Sequence, residues 1–446
     1  MPILSRRSAL TAGLSLGGLS LLGPGLSRLA HAAELQDRYY IFCYFNGGWD
    51  LLLSLDPRDP GEFRDDLKKT TLIDTGYSAL SSKYGELVSS SVPGMVFGPC
   101  VGGLVEHADK LTVVRGMSMD TLTHEVGRRR FLTGRPPAGL QAKGSNASTV
   151  LASALGQGQP IPQLSIRVES YNDGFDGFAS AIRVNSVQDL VRALRPSDND
   201  FSSAEERALQ ELLDQAALCP SARDSRIRDA AMAYQLGSKE LVSLGLDAAF
   251  DFASAESADL RALYGIDVND LAAAPAQAAA AATALTTGIS RTVCFEAASG
   301  LDTHGPEWAS AHPAALVKGF DVVASLIADL STRQYKDTSE TWLDRTTVVG
   351  FSEFGRSTLL NSSGGRDHFL HNACFLAGGG VKGGQVIGRS SDIGMAPTAT
   401  DLLTGQPSES GEVVYPEHIF RALLKGAGVD EDLGDYGVAP LMALFA

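Results

Sequence analysis

Short strand-like runs recur along this 446-residue chain, and several are apolar at almost every position rather than at alternate ones. Tyr39–Phe45, Leu111–Val114 and Pro162–Val168 are the clearest in the first half; Thr292–Phe295, Thr346–Phe351 and Ala373–Ala377 follow in the second. A strand reads this way when helices cover both faces of a parallel sheet. Between Phe295 and Thr346 the spacing predicts a long helix over Pro313–Arg333, its proline suited to a helix start, so that strand, helix and strand make a βαβ unit. Another helix is predicted over Pro416–Leu424. The fold class expected is α/β, a mostly parallel doubly wound sheet.

The pattern changes between Ser197 and Thr287, where strand signals vanish and Ala, Leu, Glu and Gln recur at helical spacing, as in AEERALQELLDQAAL. This stretch, about 197–287, reads as a helical insertion. Its low-complexity end, AAAPAQAAAAATAL, suits either a linker or a buried helix. The run GGGVKGG at Gly378–Gly384 resembles a turn between short strands more than a phosphate loop, because no Ser/Thr and helix follow.

Residues 1–33 read as an export signal rather than as part of the fold. Arg6-Arg7 precedes a short Gly/Leu-rich run, and Ala30-His31-Ala32 offers a small-residue cleavage site, which together suggest a twin-arginine signal in place of a membrane anchor. A periplasmic or extracellular protein is therefore expected, with 34–446 as one α/β domain containing the insertion. The formal charge of the whole chain is −15, and removing this segment takes away three arginines and no acid. An acidic surface argues against nucleic acid and anionic membranes as partners. Five cysteines show no CxxC spacing; Cys43, Cys294 and Cys374 sit in apolar runs as core residues, and the odd count leaves at least one free thiol.

Candidate chemistry gathers just beyond the strands. Asp50 ends YYIFCYFNGGWD, His124 follows KLTVVRGMSMD, Asp302 and His304 stand in GLDTHGPEW, Glu353 follows TTVVGFS, and His368 lies in GGRDHFLHN. In open α/β sheets ligands bind outside the carboxyl ends of the strands, so these acids and imidazoles are expected to converge there. Carboxylate oxygen with imidazole nitrogen suits zinc, manganese or a similar divalent ion, one or two of them. Arg128, four residues after His124, faces the same side of a helix and is a candidate clamp for an oxyanion, with Arg356 as a second; Arg129 and Arg130 are expected to be solvated. His371 and Asn372 are candidates to orient a ligand, His312, His107 and His418 read as structural or surface residues, and Trp49 and Trp308 as packing.

In order, RRSAL, FNGGWD, HEVGRRRFLTGR, GLDTHGPE, FSEFGR and GGRDHF resemble the motifs of an uncharacterised family of twin-arginine-exported bacterial proteins, placed in the alkaline phosphatase and sulfatase superfamily. The resemblance covers most of the chain after residue 33. It implies an alkaline phosphatase-like sheet, divalent metal at the strand ends, and hydrolysis of phosphate or sulfate esters. Asp50 matches the aspartate shared by both metal sites; Asp302, His304 and His368 match a site of one Asp and two His; Glu353 takes the place of an Asp.

Three departures qualify the match. Aligning the shared TGR puts His124 at the nucleophile's position and Arg128 at the arginine's. Phe354 stands where a second metal's ligand is expected, and Asp302-x-His304 is tighter than the usual spacing. His124 is then a metal ligand beside Asp50 and Glu353, with water as nucleophile, or a phosphohistidine nucleophile, or a relic of a catalytically dead site; the first is preferred. Thr121 and Thr123 are nearby hydroxyls that spacing does not select between. The expected function is metal-dependent hydrolysis of phosphate or sulfate esters by activated water, on a small anionic ester or an envelope glycan. The alternatives are a non-catalytic anion- or glycan-binding or assembly protein, and a purely structural metal.

Overall fold

The strand Tyr39–Phe45 (β1) is apolar throughout because each of its faces meets a separate core. Tyr39, Ile41, Cys43 and Phe45 pack into one and Tyr40, Phe42 and Tyr44 into the other. The computed structural model describes residues 35–136, 138–195 and 244–446, with 207, 208 and 211. The predicted signal segment and most of the predicted helical insertion lie outside these residues.

Among the described residues β1 lies inside an eight-stranded sheet. The other strands, in chain order, are the short pair β2 (Val88–Ser89) and β3 (Val96–Phe97), then β4 (Leu111–Ser118), β5 (Gln163–Ile166), β6 (Ile182–Val184), β7 (Thr292–Ala298), β8 (Thr346–Phe351), the short pair β9 (Gly355–Arg356) and β10 (His368–Phe369), β11 (His371–Gly378) and β12 (Gln385–Ile387). The sheet order is β12-β4-β11-β8-β1-β7-β5-β6. Pairing is parallel except at β11, which runs antiparallel to both β4 and β8. The mostly parallel α/β sheet expected from the apolar runs is present. The predicted βαβ unit is split, however: β7 and β8 are parallel but flank β1 instead of pairing with each other.

Helices close both faces. His124–Thr133 (α1), Ala147–Leu155 (α2) and Pro416–Gly426 (α5) contribute Phe131, Val150, Leu151, Ile419 and Phe420 to one core. Ala274–Thr286 (α3) and Ala311–Thr332 (α4) cover the other with a run of buried alanines and with Leu316, Phe320, Val323 and Ile327. The alanine-rich run is therefore a buried helix and not a linker. Its small side chains let it lie close to β7, where Gln277 Oε1 accepts the Glu296 N–H at 3.0 Å. The antiparallel pairing of β11 with β8 depends on Gly350, whose missing Cβ would stand 2.0 Å from the Phe375 ring.

This topology sets where chemistry gathers. The carboxyl ends of β1, β4, β7 and β8 share one edge, and the reversed strand β11 brings its amino end there, with His371 opposite Ser118. The Gly-rich Gly378–Gly384 stretch connects β11 to β12 at the opposite edge, as a turn. Cys43, Cys100, Cys294 and Cys374 are buried and free; Cys219 lies outside the described residues. No helix among the described residues is long and apolar enough to cross a membrane.

Candidate metal centre

Two glycines explain how the loops at this edge come together. Gly47 follows β1 with φ +117, and a Cβ there would meet the Asp302 backbone nitrogen at 2.6 Å, so the turn can lie against the loop after β7. Gly127, in the first turn of α1, faces the Glu353 carbonyl, which a Cβ would approach to 2.7 Å. In HEVG the glycine thus lets the start of α1 press on the Ser352–Phe354 turn, and His124 at the helix start reaches the acid behind it.

Three imidazoles surround one carboxylate oxygen. Asp302 Oδ1 lies 3.2 Å from His124 Nε2, 2.9 Å from His304 Nε2 and 3.2 Å from His368 Nε2. The Nε2 atoms of His304 and His368 are 3.1 Å apart. The other nitrogen of each ring faces an oxygen: His124 Nδ1 is 2.7 Å from Glu353 Oε1, His304 Nδ1 2.8 Å from Asp367 Oδ1, and His368 Nδ1 2.6 Å from the Leu122 carbonyl. An acceptor at Nδ1 takes the ring proton there and leaves the Nε2 lone pair facing Asp302. Three lone pairs converging on a carboxylate describe a cation's ligands more than a hydrogen-bond network. Two ligands of one ion, each at about 2.1 Å in tetrahedral or octahedral geometry, stand roughly 3.0–3.4 Å apart.

The side chains present therefore fit a divalent ion. His124, Asp302 and His368 form the one group of three potential ligands among the described residues whose donor atoms all lie within 4.8 Å of one another. His124 Nε2 is a buried atom with no hydrogen-bond partner, the state of a ligand nitrogen. His304 is the more exposed imidazole, and the Arg356 guanidinium also faces its Nε2, at 3.3 Å. This leaves three potential ligands, with the half-exposed His304 on the solvent side of the group and the buried Arg356 behind Asp302.

Arg356 is fully buried and held by the carbonyls of Gly47, Gly48 and Arg366 while it donates to Asp302 Oδ1 at 2.7 Å. Burial works against the Asp302 carboxylate, but the Arg356 and His368 hydrogen bonds outweigh it and hold its pKa below the ordinary value. Burial likewise pulls His124 down, and the Glu353 hydrogen bond overrides it to raise this histidine; for His368 burial prevails and the pKa falls. The Phe354 ring, buried, packs 4.9 Å from His124 and 4.5 Å from His368, so an apolar wall stands where a second metal's ligand was expected.

Several expected roles are corrected by these positions. Asp50 does not reach the cluster: Oδ2 pairs with Arg366 Nε and accepts from Trp308 Nε1, both at 2.9 Å, and Oδ1 accepts the N–H groups of Leu52 and Leu53. Glu353 lies behind His124 and not among the ligand atoms facing Asp302; its remaining capacity takes Gly47 N and Ser352 Oγ, each at 2.9 Å. Arg128 is no free clamp, because Glu169 binds it through both oxygens at 3.0 and 3.2 Å, which with burial opposing still drives the Glu169 pKa down to about 2. Arg129 shares that carboxylate. Arg130, expected to be solvated, is buried against Glu417. Thr121 Oγ1 accepts the Thr123 N–H, and no hydroxyl among the described residues hydrogen-bonds to Asp302 or the three imidazoles.

His312 is wholly buried between Asp50 N and Thr303 Oγ1, and burial lowers its pKa to about 3. Asn372 accepts from Trp49 Nε1 at 2.7 Å, and Trp49 and Trp308 are core residues. His371 is buried with neither nitrogen partnered, at a pKa lowered by burial to about 4, and orients no ligand.

Asp367 and the Leu122 carbonyl were missed in the sequence. Asp367 adjoins His368 in GGRDHF, and an acid next to a candidate ligand is a usable signal; a backbone carbonyl leaves none. The Glu353 position gives a direct check: Glu353→Gln, which keeps an acceptor for His124 but removes the charge, is expected to fold normally and to weaken metal binding about 10- to 100-fold. Competition against a chelator of known affinity measures this, and an unchanged affinity would make Glu353 a structural acid only.

No curated relative matches the sequence. Among solved structures, the chain is similar to the crystal structure of Ps i-CgsB in complex with k-i-k-neocarrahexaose, at 8% identity and a TM-score of 0.39, with 91% of this chain and 75% of that one covered. Over residues 37–404 the sequence matches the family described as "Protein of unknown function (DUF1501)", and the chain belongs to that family.

Proposed function

We propose that this protein is an exported, metal-dependent hydrolase of phosphate or sulfate esters, working on an alkaline phosphatase-like sheet. One observation carries the reading: His124, His304 and His368 are each fixed through Nδ1 so that every Nε2 faces Asp302 Oδ1. A zinc or manganese ion bound by His124, Asp302 and His368 supplies Lewis acidity and an activated water. Arg356 positions Asp302, its planar fork held in turn by the carbonyls of Gly47, Gly48 and Arg366. Glu353 orients His124, and Asp367 with Asn361 orients His304. Phe354 keeps water from the back of the site. Because no hydroxyl among the described residues hydrogen-bonds to the cluster, water is the nucleophile in this reading.

The test is turnover of a panel of phosphate and sulfate monoesters by zinc- or manganese-loaded protein. Hydrolysis of at least one ester is expected, lost on chelation and restored by the ion. The second reading, a non-catalytic anion-binding or assembly protein, is favoured by the 2.7 Å contact of Arg356 with Asp302, which satisfies the carboxylate without a metal ion. Phosphate binding by calorimetry with no turnover of any ester would select it, and neither turnover nor anion binding would sink both.

A further inference from the structure

The loop that carries Asp302 and His304 alternates in burial: Leu301 is buried, Asp302 exposed, Thr303 buried and His304 half-exposed. An extended stretch points successive side chains to opposite sides, so the two residues that face the centre flank one that faces the core. That residue, Thr303, has its hydroxyl 2.9 Å from His312 Nδ1. His312 lies in the first turn of α4 and is wholly buried. Its Nε2 accepts the Asp50 N–H at 3.1 Å. A neutral imidazole that accepts at Nε2 carries its proton at Nδ1, so His312 donates to Thr303 Oγ1, with the Leu301 carbonyl as a second acceptor in the same loop. The other ties of this segment are longer or nearer the surface. Arg366 N reaches the Thr303 carbonyl at 3.4 Å, and Asn361 Nδ2 meets the His304 carbonyl at 2.9 Å in a part-buried position. A hydrogen bond in a dry interior is the stronger kind, and losing its acceptor strands a donor that water does not reach.

We propose that His312 and Thr303 are positioning residues of the metal centre, a buried strut that runs from the turn after β1 through the start of α4 and fixes how Asp302 presents its carboxylate to the imidazoles. This rests on the metal-centre reading above and extends it to two residues that hydrogen-bond to no candidate ligand's side chain. The strut grips a backbone N–H at one end and a hydroxyl at the other, so it sets position without adding charge beside the cation.

The experiment measures zinc affinity, by competition with a chelator, for the full-length parent, Thr303→Val and Thr303→Ser, with the Tm of each metal-free protein. Thr303→Val keeps the shape of the side chain and removes the acceptor; it is expected to bind zinc at least about tenfold more weakly, as when a ligand's outer support is lost. Thr303→Ser keeps the hydroxyl and is expected to stay within about threefold of the parent, although it gives up a buried methyl group and with it some Tm. Affinity and stability are therefore expected to rank the two variants differently, which a merely structural role does not produce. A second pair covers the case in which Thr303→Val does not fold: His312→Asn still donates from near the Nδ1 position and is expected to bind zinc more tightly than His312→Gln, whose amide reaches the Nε2 position alone. Unchanged affinity in Thr303→Val, equal losses in Thr303→Val and Thr303→Ser, or equal affinity across the His312 pair overturns the inference and leaves the centre in place. No zinc bound by the parent removes the centre itself, and this inference with it.

Discussion

Asp302→Ala is expected to empty the centre of metal and abolish ester hydrolysis while the chain still folds. Asp302 Oδ1 is the one atom that all three Nε2 nitrogens face, and it supplies the only negative charge among them. Without it, a divalent ion meets neutral imidazoles and the Arg356 guanidinium, which repels it. The loss should exceed the 10- to 100-fold typical of an outer partner and reach on the order of 10³-fold or more in metal affinity. The side chain is 49% exposed, and Arg356 keeps its carbonyl acceptors, so the cost to stability is expected to be about 1–3 kcal/mol. Elemental analysis and circular dichroism read the two quantities separately, with His368→Ala as an independent second variant. A full equivalent of metal retained by both variants would show that the ligands lie elsewhere.

Asp50→Ala is expected to do the reverse. Asp50 and Arg366 are both buried, joined at 2.9 Å, and Arg366 also binds the carbonyls of Asp74, Thr75 and Ser357 while lying over the Trp308 ring. Removing one partner leaves a buried charge uncompensated, at a cost of about 3–5 kcal/mol. With an unfolding entropy of roughly 2.1 cal/mol/K per residue, a chain of this size should lose about 3–5 °C in Tm. Below that transition the variant should bind the same amount of metal as the parent. Loss of metal with an unchanged Tm would return Asp50 to the ligand set.

These two aspartates show where the sequence was readable and where it was not. Both end apolar runs, and both were expected to be ligands. What separates them is the partner: Asp50 meets Arg366, more than three hundred residues away, whereas Asp302 meets three imidazoles. Strand type and placement followed from local hydrophobicity, as in Tyr39–Phe45 and Thr346–Phe351, which match their predicted bounds. Pairing order did not, since apolar runs carry no record of which neighbour each strand takes. The split of β7 and β8 by β1 and the reversal of β11 arise from that order. Arg128 and Arg130 likewise depend on distant acids, Glu169 and Glu417, that helical spacing cannot reveal. The convergence of His124, Asp302 and His368 was expected from strand ends alone; the partition between ligand and orienting acid, which moved Glu353 behind His124, was set by side-chain direction.

The reversed strand also fixes an order of events. His368 reaches the cluster only because β11 runs against β4 and β8, and those two pairings close loops of very different length. Long-range closure is the slow part of building such a sheet. The proposed ligands His124, Asp302 and His368 are separated by 178 and 66 residues, so an unfolded chain presents no two of them side by side. In the metal-centre reading proposed above, uptake follows the finished sheet rather than nucleating it.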